Sequence, residues 1–237
     1  MNIKTVAAIA FSMFLLGCQR APLHPSMTPI DLPPAARPLL GQIDVIASEQ
    51  MKTIIATSMP SPGLTPASAI VAGFDTAWLK DRVELVNKAF PTFDYPEEVL
   101  KATQQAFAGV DNVRVLPTVA RAPRDSVAMF ASATSDAVLT FSVTTMLSDR
   151  GALLSSGWLF LRPKSDALQQ FKPNANGGNS GNAGNLLFRR YTQVETPFLG
   201  ADNPAKVRAV FVGAARELAE WAAKEVKALK QEAPVKP

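Results

Sequence analysis

Between Val138 and Leu161 the side chains alternate in a way that only a sheet satisfies. Leu139, Phe141, Val143, Thr145 and Leu147 fall on one face, and Thr140, Ser142 and Thr144 on the other. A strand sends successive side chains to opposite faces, so a period of two marks one buried and one more polar surface. Ser148 to Gly151 is a turn signal, and Ala152 to Leu161 returns as a second strand. A strand, a short turn and a strand predict an antiparallel hairpin. Leu186 to Phe198 continues the strand-like pattern. The apolar face of such a sheet has to be covered, and the flanking segments supply helices.

Asp94 is placed to cap a helix, with Pro96 in its first turn and Glu97 and Glu98 at the positive end of its dipole. Val99, Leu100, Thr103, Ala106 and Phe107 form its apolar stripe, Gly109 stops it, and Val113 to Leu116 reads as a short strand. A second helix is expected from Ser126, with Val127, Phe130 and Ala133 on one face and Met129 beside them, ending at Ser135 and Asp136. The last helix is the clearest. Asp202 or Asn203 caps it, Pro204 opens it, and Val207, Phe211, Ala214, Leu218, Trp221 or Ala222, and Leu229 follow a 3.6-residue period broken by Glu225. Upstream, Ile43, Val45 and Ala47 alternate like a short strand, Met51 to Thr57 extends it or forms another, and Ala69 to Phe74 reads as a strand. Asp75 to Phe90 is read as helix from its alternating charges. The expected class is α/β: a small mixed, largely antiparallel sheet with helices packed on it and an amphipathic C-terminal helix.

The chain has 237 residues, 47% hydrophobic, which suffices for one core and a tether. Its net charge of +4 is scattered rather than striped, so nucleic acid is not an expected partner. Residues 42–231 are read as a single domain, interrupted by the Gly/Asn-rich loop 173–185 and followed by a tail, 232–237. That loop has no lysine or hydroxyl pair after its glycines, so it does not fit a phosphate cradle.

The N-terminal end differs in kind. Lys4 precedes eleven residues, Val6 to Leu16, broken only by Ser12, and Gly17 and the chain's only cysteine, Cys18, follow. The run is too short for a bilayer, which takes about 20 residues, and has the layout of an export signal, residues 1–17. Leu15-Leu16-Gly17-Cys18 resembles the lipobox of bacterial lipoproteins. The resemblance implies cleavage before Cys18, lipid attachment to Cys18, and a membrane partnership through that lipid. About three acyl chains, at about 0.8 kcal/mol per buried methylene, hold where one does not. Gln19 resembles the residue found there in outer-membrane lipoproteins, which implies an outer-membrane address facing the periplasm. Residues 18–41 carry Pro22, Pro25, Pro29, Pro33, Pro34 and Pro38. Proline fixes φ and removes a donor, so the segment is read as an extended tether, or as one whose Ile30 to Leu40 part packs on the domain. His24 lies in it and is read as a plain polar residue.

From residues 126–140, including Ser126 and Asp136-Ala137-Val138-Leu139-Thr140, through the final helix, the order of elements resembles the N-terminal domain of TolB, curli-secretion lipoproteins of the CsgG type and penicillin-binding-protein activator lipoproteins. The resemblance rests on pattern, covers a little over half the chain and transfers no functional residue.

No catalytic, metal-ligating or cofactor-binding residue is expected. Asp136, Asp149, Asp166 and Glu195 are not paired by spacing as glycoside hydrolysis requires, and the single histidine, His24, leaves a serine nucleophile such as Ser155 or Ser156 without a histidine base in the body. Trp158, Phe160, Phe188, Tyr191 and Phe198, with Arg162, Arg189 and Arg190 near them, are read as core side chains with solvated basic neighbours rather than a nucleic-acid platform. The leading expectation is a non-catalytic envelope adaptor or assembly factor that docks to another envelope protein. The alternatives are a small-molecule or lipid binding accessory protein and a Ser-Lys type hydrolase.

Overall fold

In the computed structural model, residues 28–49, 55–56, 84–148, 152–171, 186–198 and 201–231 are described. Cys18, His24, the loop 173–185 and the expected strand Ala69 to Phe74 lie outside them. In chain order the elements are β1 (Ile43–Glu49), β2 (Ile55–Ala56), α1 (Tyr95–Phe107), β3 (Val113–Val115), α2 (Pro123–Ser132), β4 (Ala137–Ser148), β5 (Ala152–Pro163), α3 (Asp166–Gln169), β6 (Phe188–Pro197) and α4 (Pro204–Gln231). Residues 84–89 are also helical.

The sheet runs β3-β1-β4-β5-β6, with β2 beside the end of β4. The long β4–β5 and β5–β6 pairings are antiparallel. β1 is parallel to both β3 and β4. The fold is therefore mixed α/β and largely antiparallel, with a parallel half around β1. Every residue of β1 is buried, because both faces of the strand are covered. Ile43 and Val45 belong to the main core with Val99 and Phe107 of α1 and Phe211, Leu218 and Val226 of α4. Ile46 points the other way, into a second cluster with Ala120, Val138, Met129 and Phe130 under α2.

Short-range chemistry explains the helix ends. Asp94 Oδ1 accepts the Glu97 amide at 3.2 Å, and Asn203 Oδ1 accepts the Lys206 amide at 3.1 Å. The helix expected from Ser126 starts three residues earlier, at Pro123. The Asp125 carboxylate accepts the Ala122 and Arg121 amides at 2.8 and 3.0 Å and holds that start open. Its inward face keeps the expected Phe130 and Ala133 with Met129 beside them, but not Val127, which is 68% exposed. On α4 the buried member of the Trp221/Ala222 alternative is Ala222.

The proline-rich segment is not all spacer. Pro34–Leu39 forms a 3-10 turn, Leu32 and Ala36 are buried in the main core, and Ile30 bridges Arg189 of β6. Of the two readings of that segment, Ile30 to Leu40 packs on the domain. Gly41 makes the handover possible. A Cβ there would lie 2.3 Å from Asp136 Oδ2, which accepts the Gln42 amide at 2.8 Å.

Asp44 is a carboxylate within the buried central strand. Burial pushes its pKa up. The forked bonds from Arg114 Nε and Nη2, each 2.8 Å, and a bond from Ser135 outweigh that and hold it below the usual aspartate range. A folded-state pKa below the unfolded value gives stability that is present above the unfolded pKa of about 3.9 and lost as pH falls through the folded one. Wild type should lose stability steeply below about pH 4 in urea unfolding followed across pH, and Asp44→Asn should flatten that acid limb. Arg114→Met, which leaves the buried carboxylate short of partners, should cost about 1–3 kcal/mol at pH 7.

Candidate functional site

Because β1 lies between two parallel neighbours, the chain makes two crossover connections around it. The crossover from β1 to β3 carries α1, and the crossover from β3 to β4 carries α2. Right-handed connections in opposite directions put the two helices on opposite faces, as the two separate core clusters record. Their N-termini then meet beyond the carboxyl end of β1, where open α/β sheets form a crevice.

A groove of about 900 Å³ occupies that place, lined by Glu49, Phe90, Phe93, Asp94, Tyr95 and Arg121, with Pro91, Pro96 and Pro123 at its walls. Glu49 ends β1 and is buried, and its amide donates to the Ala120 carbonyl at 3.2 Å. Ala120 donates in turn to Ala47 at 2.8 Å, so the segment after β3 stays alongside β1 as far as Arg121. Arg121 Nη2 reaches Asp94 Oδ2 at 2.7 Å. One ion pair thus ties the start of α2 to the cap of α1. The hydrogen bond from Arg121 holds the Asp94 carboxyl below its usual range, and the same bond raises Arg121, with the charge of Glu49 contributing.

Tyr95 lies fully buried behind the groove. Its hydroxyl sits 3.2 Å from Thr145 Oγ1, which is 3.4 Å from Ser155 Oγ. Burial, and then the charge of Glu49, push the phenol well above its ordinary pKa, so it stays neutral. The wall beyond is fixed by aromatic edges: Phe211 lies 5.1 Å from Phe90 and 5.3 Å from Tyr95. Arg208 pins the same turn through the Ala89 carbonyl at 2.9 Å and Thr92 Oγ1 at 2.6 Å. Glu49 and Asp94 thus place two carboxylates at the groove with the Arg121 guanidinium.

The residues weighed from sequence are scattered. Asp136 holds the Gln42 amide, Asp166 opens α3 and Glu195 lies near the end of β6; Asp149 is outside the described residues. Glu98 pairs with Lys101 at 2.9 Å. Ser155 is buried against Thr145, and Ser156 Oγ lies 3.3 Å from the Tyr191 hydroxyl. Among the described residues no group of three or more His, Cys, Asp or Glu could hold a metal ion, and no helix is long and apolar enough to cross a membrane.

The aromatic set divides, which corrects the reading of it as core. Phe188 and Phe198 are core residues. Trp158, Phe160 and Tyr191 are half-buried on the opposite face of the sheet, where Trp158 lies 4.4 Å from Tyr191 and is parallel to Phe160 at 5.8 Å. Inward positions on β5 and β6 alternate with these, and Phe160 and Trp158 share the parity of Ser156, not of Leu159 and Leu161. Glu49 and Arg121 were not singled out in the sequence. The available signal was positional: two helix starts, at Asp94 and Ala122-Pro123, each with a proline in the first turn.

No family model matches the chain, and no curated protein matches it. Among solved structures it is similar to the PelC dodecamer from Paraburkholderia phytofirmans, with 12% identity over 87% of this chain and 97% of that one and a TM-score of 0.35. A substituted form of the same PelC matches with 10% identity over 81% of this chain and 96% of that one and a TM-score of 0.29. Neither likeness bears on what this chain does.

Asp94 both caps α1 and holds Arg121. Asp94→Ala should lower stability by about 0.5–2 kcal/mol in chemical unfolding. It should also raise amide exchange at Glu97 and Glu98 while the centre of α4 stays protected.

Proposed function

We propose that the chain is a lipid-anchored protein of the cell envelope that works by docking to another envelope protein, without catalysis of its own. The observation that carries the reading is Leu15-Leu16-Gly17-Cys18, which places the only thiol of the chain where a lipobox needs it. On this reading residues 1–17 are removed, Cys18 carries the lipid, Gln19 directs the protein to the outer membrane, and the body faces the periplasm with no cofactor. The groove beyond β1 supports docking. Its proline and aromatic walls suit an extended peptide, and the carboxylates of Glu49 and Asp94 suit a lysine or arginine on it. The occupant proposed is an extended, positively charged segment of the partner.

A second reading has one observation in its favour. A volume of about 900 Å³ falls within the range of small-molecule sites, so the same groove would suit a cationic small molecule for a transport accessory.

One set of envelopes tests both halves, from cells making wild type, Cys18→Ala and Arg121→Glu at native abundance. Metabolic acyl labelling and membrane pelleting should be lost in Cys18→Ala only. Arg121 is about half exposed, so Arg121→Glu should cost no more than about 1 kcal/mol and remain anchored. Reversing that charge gives the groove a third carboxylate, so the positively charged partner that wild type retains in detergent should withstand a higher-salt wash with Arg121→Glu. Equal or lower salt resistance with Arg121→Glu, or wild type recovered alone, would overturn docking through this groove. A small molecule in the native mass spectrum of wild type, more abundant with Arg121→Glu, would favour the second reading.

A further inference from the structure

The two core clusters leave part of the sheet bare. The main core packs α1 and α4 against one face, and the second cluster lies under α2 at Ile46 of β1 and Val138 of β4. No side chain that β5 or β6 turns to that second face belongs to either cluster. The register fixes what the face displays. Tyr191 stands opposite Trp158, and Arg189 stands opposite Phe160. Arg162 is two residues past Phe160 on the same strand and shares its face. Trp158, Phe160, Tyr191 and Arg162 are each partly exposed.

Charge is unevenly placed along these strands. At the end where β6 begins, Arg162 has no hydrogen-bond or ion-pair partner among the described residues, and burial holds its guanidinium below the ordinary pKa. Lys164 follows the last residue of β5 at the same end and donates to the Phe130 and Ala131 carbonyls of α2 at 3.1 and 3.2 Å. Arg189 stands beside them. The only acid in β4, β5 or β6 is Glu195, opposite Leu154 toward the other end. Tyrosine and tryptophan favour a boundary where one side is apolar and the other wet, and long basic side chains lie along apolar surface with their charge at the water. Such rings and cations on one face are what an anionic phospholipid surface attracts.

The chain joins the described body at this same end. Ile30 and Arg189 exchange both backbone hydrogen bonds, at 3.1 and 3.0 Å, and Arg189 Nε donates to the Thr28 carbonyl at 2.8 Å. Thr28 is ten residues beyond Cys18, and ten residues reach at most about 35 Å. A lipid on Cys18 therefore stays within that distance of the basic end of the face. The groove lies the other way. Ile43 pairs with Ala137, and Ala137 with Pro163 next to Lys164, so β1 starts at the basic end and runs from it toward Glu49.

We infer that the bare face of β5 and β6 rests on an anionic phospholipid surface, with Arg162, Lys164 and Arg189 at the headgroups and Trp158, Phe160 and Tyr191 at the interface. The inference rests on the reading that Cys18 carries the lipid, and it deepens that reading by naming the side of the body that meets the membrane. The lipid supplies attachment, and the face supplies orientation. In that orientation the basic end is held at the bilayer and the groove beyond Glu49 stays open to a partner.

Fluorophores on introduced cysteines test the face in the lipidated protein, whose only native cysteine is Cys18. Gln193→Cys puts the probe on the proposed contact face, and Glu220→Cys puts it on the exposed side of α4. The protein is reconstituted in vesicles of equal parts phosphatidylglycerol and phosphatidylcholine. Aqueous acrylamide should quench the probe at 193 several-fold less than the probe at 220, and a nitroxide-bearing lipid should quench 193 alone. Phosphatidylcholine vesicles or high salt should remove that protection. Arg162→Glu should lower the docked-to-free ratio by at least about fivefold. The lipid and salt arms leave the basic residues intact, so they decide the matter even where that variant fails to fold. Equal acrylamide quenching at 193 and 220 in protein that floats with the vesicles would overturn the face and leave the anchor standing. Failure to float would overturn the anchor and this inference with it. Protection at 193 that persists on neutral vesicles and grows with protein density would put a second copy on the face, and that also overturns it.

Discussion

β1 is the constraint from which the rest of the described structure follows. It sits between β3 and β4, parallel to both, and parallel neighbours cannot be joined by tight turns. The chain must cross over twice, once in each direction. A right-handed crossover in each direction forces α1 and α2 to opposite faces. That is why all seven residues of IDVIASE are buried, why the core falls into two clusters, and why two helix N-termini converge past Glu49.

This placement carries a cost, since Asp44 and Glu49 are both buried on the central strand. Asp44 is offset by the guanidinium fork of Arg114, which also fastens β3, the shortest strand on the main path of the sheet, to its neighbour. Glu49 instead marks the floor of the groove. An ion pair with both partners about half exposed contributes little to stability; Arg121–Asp94 is such a pair. Its position differs, because it ties the starts of two helices together at the groove. The two ion pairs thus differ in place, one on the buried central strand and one at the rim of the groove.

Much of this was legible in the sequence where the signal is local. The β4–β5 hairpin follows from alternation and a turn, the start of α1 from Asp94 and Pro96, and α4 from a period kept across its length. What depends on tertiary pairing was not. Ile43 to Ala47 reads as a half-buried strand, and only its two parallel neighbours make it central. Val127 fits the helical stripe yet is exposed, whereas Phe130 and Ala133 of the same stripe pack under α2. Trp158, Phe160 and Tyr191 look like core by composition, whereas the register of β5 against β6 sends them to the other face. The groove could not be read at all, since Glu49, Asp94 and Arg121 come from three segments brought together by the crossovers.

Native-state amide exchange along β1 tests this architecture most directly. A strand buried on both faces and bonded on both sides exchanges only through global opening. The amides of Val45, Ile46 and Ala47 should therefore share one free energy, equal to that of global unfolding and matched by Leu159 and Leu161 of β5. If they exchange through a separate opening several kcal/mol less costly, β1 is not the strand on which the two halves of the fold are built.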